Sequence, residues 1–293
     1  MEKCVFNDKS DKLCLALGFF DCMHLGHIAI IKKAKEVAKE NGYKNAIFTF
    51  NSDEDKAYGK QIFSFCERKN IYESCGVEKI IAYEFNEQTK NTLPEDFLSE
   101  LTTKFNVKAF VCGSDYKFGK NAQGDVALLK DFCDKNGVKL FVVDDVYYDK
   151  IKVSSTHVKE LITSGRIDEA NKLTAYPYFV TGEVIRGRGE GHLFGFPTAN
   201  VSKSEEKIYP SNGVYGCYVT VDGVRYKAVT NVGNKPTFSD ETTTIEPFLL
   251  DFSGDIYGKQ IKIEFIKKLR DIQKFESPEK LKEAIYRDGK WEE

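Results

Sequence analysis

The apolar positions of this chain change their period once, and the change divides it in two. Residues 13–20 (LCLALGFF) form an apolar run of strand length, followed by polar punctuation and then LGHIAIIKKAKEVAKENG. In that second segment Ile30, Ala34, Val37 and Ala38 recur at helical spacing, lysines fill the other face, and Asn41-Gly42 gives a C-terminal stop. Residues 45–50 (NAIFTF) read as another buried strand. Strand, helix and strand joined by short loops predict a βαβ unit and hence a parallel sheet. The alternation continues with 107–113 (VKAFVCG), a helix over DVALLKDFCDKNG, and 138–145 (VKLFVVDD). Residues 154–165 and IDEANKLT read as two further helices, and there the α/β pattern ends.

From YFVTGEVIRG onward short strands broken by glycine take over: GVYGCYVTVDGVRYKAVTNVG, TTTIEPFLLDF and KQIKIEFIKKL. Asp222-Gly223 between two alternating runs predicts a tight hairpin, and regular short strands predict a small barrel or sandwich. A last helix starts with Ser277 as N-cap and Pro278 at the first helical position, running to about Trp291. The expected domains are 1–176, a Rossmann-like α/β domain on a parallel sheet, and 177–293, a β domain with a terminal helix. A length of 293 residues suits two domains of ordinary size.

Composition narrows the partners. With 41% hydrophobic and 30% charged residues and a mean hydropathy of −0.41, the chain reads as an ordinary globular protein. Its 43 basic and 45 acidic residues nearly cancel, which removes the electrostatic footprint of a dedicated nucleic-acid binder. The N-terminal MEKCVFNDKSDK has no basic segment leading into an apolar one, and no run approaches the ~18 apolar residues needed to span a bilayer. The expectation is a cytoplasmic protein acting on small molecules, with no nucleic-acid or membrane partner and with homo-oligomerisation left open. Eight scattered cysteines without a CxxC pair fit reduced, mostly buried thiols better than disulfides or a structural zinc site.

Candidate chemistry concentrates where the first strand runs into the first helix. Ligands of open parallel sheets bind beyond the carboxyl ends of strands, and a helix N-terminus attracts phosphate through its free N–H groups and partial positive charge. His24 and His27 flank that terminus. An isolated HxxH pair is most simply two unrelated histidines, and helical metal pairs usually lie at i, i+4. The surrounding GxFDxxHxGH, comprising Gly18, Phe20, Asp21, His24, Gly26 and His27, resembles the signature of the nucleotidylyltransferase superfamily. Its partner signature, a Ser-Ser-Thr run followed by a basic residue, appears as Ser154, Ser155, Thr156 and Lys159. Alone, the hydroxyls would read as helix caps.

The second half carries Gly187, Gly189, Gly191 and Gly195 ahead of a Phe-Pro-Thr-Ala-Asn run containing Thr198 and Asn200, then NVGNKPTF, IEPFLLDF and GDIYGKQIKIEFIKKLRDIQKF in order. These blocks resemble riboflavin kinase, and residues 13–290 resemble the bacterial bifunctional riboflavin kinase/FAD synthetase family. The resemblance implies a six-stranded β-barrel for the second half and two activities: phosphorylation of riboflavin to FMN, and adenylylation of FMN to FAD with release of pyrophosphate. ATP and Mg²⁺ are the implied cofactors, and riboflavin, FMN and FAD the flavins handled.

Carried over to this sequence, the resemblance makes Glu246 the kinase base, Thr198 and Asn200 the Mg²⁺ ligands, and the four glycines, Asn231 and Arg270 parts of the second binding site. His24 and His27, with Ser154, Ser155, Thr156 and Lys159, become triphosphate donors in the first domain. Asp115, Tyr116 and Phe118 of GSDYKFGK (113–120) fall in a block near the flavin, although the two aromatics would equally serve packing. The chain departs from the family pattern at Phe19, Cys22, Lys159, His192 and Ile272, and NSDEDKAYG stands where Pro-His-Pro is usual. Two rivals remain at this level: a kinase whose first domain is catalytically weak and only binds nucleotide or flavin, and a flavin sensor without turnover.

Overall fold

The computed structural model describes residues 9–51, 60–185, 200–202, 204–234 and 243–292. By their contacts they group into two compact units, Met1–Ser155 and Thr156–Glu293.

In the first unit β1 (Leu13–Leu17), β2 (Lys44–Asn51), β3 (Lys79–Glu84), β4 (Val107–Gly113) and β5 (Lys139–Val143) form a parallel sheet in the order β3-β2-β1-β4-β5. The central position of β1 explains its unbroken apolar run, since all five residues are buried between neighbours on both sides and layers on both faces. Helix α1 (Leu25–Asn41) returns from β1 to β2 and buries Ile30, Ile31, Ala34, Val37 and Ala38. Each large aliphatic side chain so buried contributes about 1.5–3 kcal/mol relative to exposure. The predicted stop holds: Gly42 adopts φ 68°, and its N–H bonds the Ala38 carbonyl. Helix α5 (Val126–Asn136) connects β4 to β5 in the same manner.

Between β2 and β4 lie α2 (Phe65–Ser74), β3, the short α3 (Glu87–Lys90) and α4 (Pro94–Lys104), none of which the hydrophobic pattern had singled out. The small hairpin of β6 (Tyr147–Tyr148) and β7 (Ile151–Lys152) was likewise not anticipated. Helix α6 (Ser155–Thr163) follows it.

The second unit carries α7 (Ile167–Leu173), β8 (Phe179–Ile185), β9 (Asn200–Val201), β10 (Gly213–Val221), β11 (Val224–Asn234), β12 (Thr243–Leu249), β13 (Gln260–Arg270) and α8 (Pro278–Asp288). Its strands run in the order β12-β11-β10-β13-β8-β9 with antiparallel pairing, and β9 meets β12 to bring the sheet close to a barrel. The predicted β10–β11 hairpin turns on Asp222 (φ 49°) and Gly223 (φ 80°), the doubly left-handed geometry of a two-residue turn matched to strand twist. The sequence pattern groups α6 and α7 with the parallel sheet, ahead of a boundary at Tyr176-Pro177. In the structure α7 docks on β13 within the second unit, where Asn171 donates to the Phe265 carbonyl at 2.9 Å and accepts from the Tyr178 N–H at 2.8 Å.

Helix α8 has the predicted Ser277 cap but ends at Asp288, three residues before Trp291. The indole instead lies over β10 and donates to the Ala228 carbonyl at 3.2 Å. Gly216 makes room for it: a Cβ there would stand 2.6 Å from the ring.

Candidate active site

The loop leaving β1 does not follow ordinary backbone geometry. Phe20 and Met23, neither a glycine, sit at φ 52° and 49°. Such left-handed backbone is costly for residues with side chains, and it persists where surrounding contacts over-determine it. Those contacts are visible. The Phe20 ring folds back over Gly18, where a Cβ would meet it at 2.8 Å, and Gly26 similarly accepts the His24 ring, with a Cβ distance of 3.0 Å. The two motif glycines are thus required by the close approach of the motif's own rings.

Beneath the loop Arg68 of α2 is fully buried. Its guanidinium donates to the Phe19 carbonyl (2.9 Å), Thr49 Oγ1 (3.0 Å), the Phe50 carbonyl (3.0 Å) and Gln61 Oε1 (3.3 Å). Thr49 Oγ1 also donates to the Phe19 carbonyl at 2.8 Å. One cation therefore ties the ends of β1 and β2 together through neutral acceptors, compensating the cost of its burial.

His24 is the N-cap of α1, and its Nδ1 accepts from the His27 N–H at 3.1 Å. The two imidazoles stack with centroids 3.6 Å apart, and Phe20 meets His27 edge-on at 5.2 Å. Burial, opposed by Asp21, lowers the His24 pKa to about 4. Burial first, then the neighbouring His24, pushes His27 well below the ordinary imidazole value. Both rings are neutral at pH 7 without a bound anion, whereas a polyphosphate arriving at this helix end would favour their protonated forms.

The two halves of the nucleotidylyltransferase signature meet here. Ser155 Oγ, at the start of α6, donates to Asp21 Oδ1 at 3.1 Å and lies 3.2 Å from Cys22 Sγ, which in turn is 3.9 Å from His27 Nδ1. A cavity of about 880 Å³ adjoins them, and its lining includes Phe50, Phe85 and Phe97 as well as His24, His27 and Ser155. That volume lies in the range of nucleotide-sized ligand sites, and a lining that combines aromatic rings with polar donors suits a flat ring joined to phosphates. Ser154 and Asp115 line the same cavity. Tyr116 and Phe118 also border it and stack at 5.4 Å, and Phe118 is part of the hydrophobic core.

Lys152 of β7 bridges Asp115 (3.1 Å) and Asp145 (2.9 Å) at the cavity's edge. Its pKa is raised, by hydrogen bonds to Asp145 first and Asp115 second. Neither Lys152 nor Arg68 was singled out from sequence. Lys152 borders a recognised motif, a position that could have flagged it, whereas Arg68 lies in a polar helix stretch (CERKN) that gives no hint of burial. Thr156 is exposed and Lys159 half-buried on α6.

In the barrel, Glu246 on β12 pairs directly with Asn231 on β11, and both are half-buried. Asn200 lies half-buried on β9, the strand that meets β12. Arg270, at the end of β13, is held by Asp288 of α8 through Nε (2.9 Å) and a terminal nitrogen (2.8 Å), so its charge is already engaged. Gly187, Gly189, Gly191, Gly195 and Thr198 lie outside the described residues.

Comparison with known proteins matches both halves. The family model for FAD synthetase covers residues 7–157 and that for riboflavin kinase covers 174–292. A bifunctional riboflavin kinase/FMN adenylyltransferase from Bacillus subtilis is 35% identical, over 97% of this chain and 92% of that protein. A protein of the same description from Listeria monocytogenes is 32% identical, over 94% and 89%. A crystal structure described as a macrolide-efflux protein from Streptococcus pneumoniae superposes with a TM-score of 0.88 at 29% identity, covering 98% of this chain and 95% of that one. Efflux is that protein's description; among the described residues here no helix is long and apolar enough to cross a membrane. With an FAD synthetase half, a riboflavin kinase half and full-length relatives carrying both, the chain belongs to the bifunctional riboflavin kinase/FMN adenylyltransferase family.

Proposed function

We infer that the chain is a transferase with two ATP-dependent activities, riboflavin kinase in the second half and FMN adenylyltransferase in the first. The observation that carries the reading is the junction of Asp21, Cys22, His27 and Ser155 at the head of a cavity of about 880 Å³. Adenylyl transfer needs the FMN phosphate aligned with the α-phosphorus of ATP, and donors for the charge that gathers on departing pyrophosphate. No covalent protein nucleophile is needed. His24, His27, Ser154 and Ser155 are assigned to the phosphates at the α1 and α6 N-termini, and Gly18, Phe20, Asp21 and Gly26 shape the loop that presents them. Thr156 and Lys159 are assigned to the triphosphate as the rest of the second signature. The lining aromatics Tyr116 and Phe118 are assigned to the isoalloxazine, together with Asp115 of the same segment.

In the barrel Glu246 is assigned as the base that accepts the proton of the ribityl hydroxyl as its oxygen attacks the γ-phosphorus of ATP. Its half-buried strand position, with Asn231 opposite, supports that role over a solvated one. The glycines at 187, 189, 191 and 195 are assigned to the phosphates. Thr198 and Asn200 offer an all-oxygen donor set of the kind Mg²⁺ takes, and they would hold the ion that neutralises phosphate charge during transfer. Arg270 is assigned here a smaller part than sequence suggested, because Asp288 already engages it.

The test is direct: pure protein incubated with riboflavin, ATP and Mg²⁺, with FMN and FAD resolved by chromatography, should form both. FMN without FAD would reduce the first half to a binding domain, and neither product would remove the reading.

A further inference from the structure

The loop that heads the first cavity brings together three side chains whose chemistry goes beyond phosphate binding. Cys22 Sγ and one ring nitrogen each of His24 and His27 all lie within 4.8 Å of one another. The cysteine is buried, and both histidines line the cavity, so an ion entering from it meets the imidazoles before the thiol. Along the sequence the three are spaced i, i+2 and i+5, which matches no zinc pattern, and the scattered cysteines gave no reason to expect one. Met23, which stands between Cys22 and His24, is in left-handed backbone at φ 49°.

We propose that Cys22, His24 and His27 form a site for a thiophilic divalent cation of the zinc class, and that its occupancy blocks adenylyl transfer. A tetrahedral zinc ion with Zn–S about 2.3 Å and Zn–N about 2.0–2.1 Å sets sulfur and nitrogen roughly 3.5 Å apart. Cys22 Sγ and His27 Nδ1 stand 3.9 Å apart, so a shift of a few tenths of an ångström closes that edge. His24 completes the triad by exchanging its hydrogen bond with the His27 N–H for the ion and turning out of the stack with His27. The fourth position is left to water. On binding, Cys22 gives its proton to solvent and ligates as thiolate, the two imidazoles ligate as neutral bases, and no electron transfer is involved.

A hard cation such as Mg²⁺ prefers oxygen and does not compete for this sulfur–nitrogen set, so the ion that serves ATP and the ion that blocks the loop are separated by ligand chemistry. The blocking clause rests on the assignment of His24 and His27 to the triphosphate. The binding clause does not.

Binding is measured on the full-length, reduced, chelator-stripped protein by Zn²⁺ titration against a chromophoric chelator, with Co²⁺ as the spectroscopic substitute and no nucleotide or flavin present. The parent should take one tight equivalent and show thiolate-to-cobalt charge-transfer absorption. Cys22→Ala, and Cys22→Ser as a second variant whose hydroxyl is a poor zinc ligand, should bind at least about tenfold more weakly and lose that band. Cys66→Ser and Cys75→Ser, at the two described cysteines that are not fully buried, should keep it. Unchanged affinity in folded Cys22 variants, or a band that disappears with Cys66 or Cys75 instead, overturns the site. One zinc equivalent should also stop FMN adenylylation, spare riboflavin phosphorylation, and be reversed by chelator. Zinc bound at Cys22 with adenylylation undiminished overturns the blocking clause while leaving the site, and an apo protein lacking adenylylation would count against the function assignment alone.

Discussion

The two units build their candidate sites by opposite means. In the first, the histidines and glycines are near neighbours in sequence, gathered by a strained loop at the end of a buried strand that Ser155 then meets: Phe20 and Met23 in left-handed backbone, two rings packed on two glycines, and a buried arginine below. In the second, Glu246, Asn231 and Asn200 stand on separate strands: register pairs Glu246 with Asn231, and near-closure of the sheet brings β9, which carries Asn200, against β12. A loop site concentrates strain and desolvation on a few residues. A register site spreads its cost over the whole barrel, so single substitutions there should act on chemistry with little effect on the backbone.

The largest expected effect tests whether the sites are separate at all. His27→Ala should lower FMN adenylylation by about 10²–10³-fold or more, the scale of losing a charge-stabilising donor, while riboflavin phosphorylation persists. Equal loss of both activities in a folded variant would merge the sites. Glu246→Gln is the reciprocal probe. Kinase turnover should fall by about 10² or more, as for loss of a general base, with conversion of supplied FMN to FAD retained. A near-normal kinase would remove Glu246 from the chemistry.

Lys159 is the next smaller effect and bears on the second signature. Lysine supplies a point charge where arginine offers a planar fork for two phosphate oxygens. Lys159→Ala should reduce kcat/KM for ATP in adenylylation about 10-fold to 100-fold, matching a charge-assisted hydrogen bond of ~1.5–3 kcal/mol, and Lys159→Arg should keep most of it. An alanine variant equal to the parent would make this half-buried lysine part of the surface only.

What the sequence disclosed follows the same contrast. The motif residues Gly18 to His27 were legible because contiguous residues make the loop, and the pairing of that loop with Ser155 is realised in a hydrogen bond to Asp21. The βαβ units and the Asp222-Gly223 hairpin were legible because their periods are clean. The edge strand β3 and helices α2 to α4 were not singled out: β3 is only partly buried, and α2 is amphipathic only weakly, with the charged pair Glu67 and Arg68 among its buried residues. Burial of a cation on neutral carbonyls leaves no hydrophobic signal, so Arg68 was invisible. Cys22 and His27 meet across a loop in which Met23 sits at φ 49°, a conformation no residue-type preference would assign to methionine.

The smallest effect concerns stability, and it separates the units by acid. His24 has a pKa of about 4 when folded against 6.5 ordinarily, and His27 is shifted in the same direction, in both cases chiefly by burial. Well above pH 6.5 both imidazoles are neutral in folded and unfolded chains, and their full contribution is present. As pH falls below 6.5 the unfolded chain takes up protons that the folded loop refuses, so stability declines until about pH 4, where folded His24 also protonates. At pH 5 the loss from His24 alone is about 2 kcal/mol. It should fall on the first unit. Trp291, the chain's sole tryptophan, packs on β10 and reports the barrel by fluorescence, whereas far-ultraviolet circular dichroism sees the helices of both units. Between pH 7 and pH 5 the dichroism midpoint in urea should move down ahead of the fluorescence midpoint, and a His24→Asn/His27→Asn double variant should bring the two shifts together. Midpoints that move in step in the parent would mean that the acid sensitivity belongs to the whole chain and not to the histidine loop.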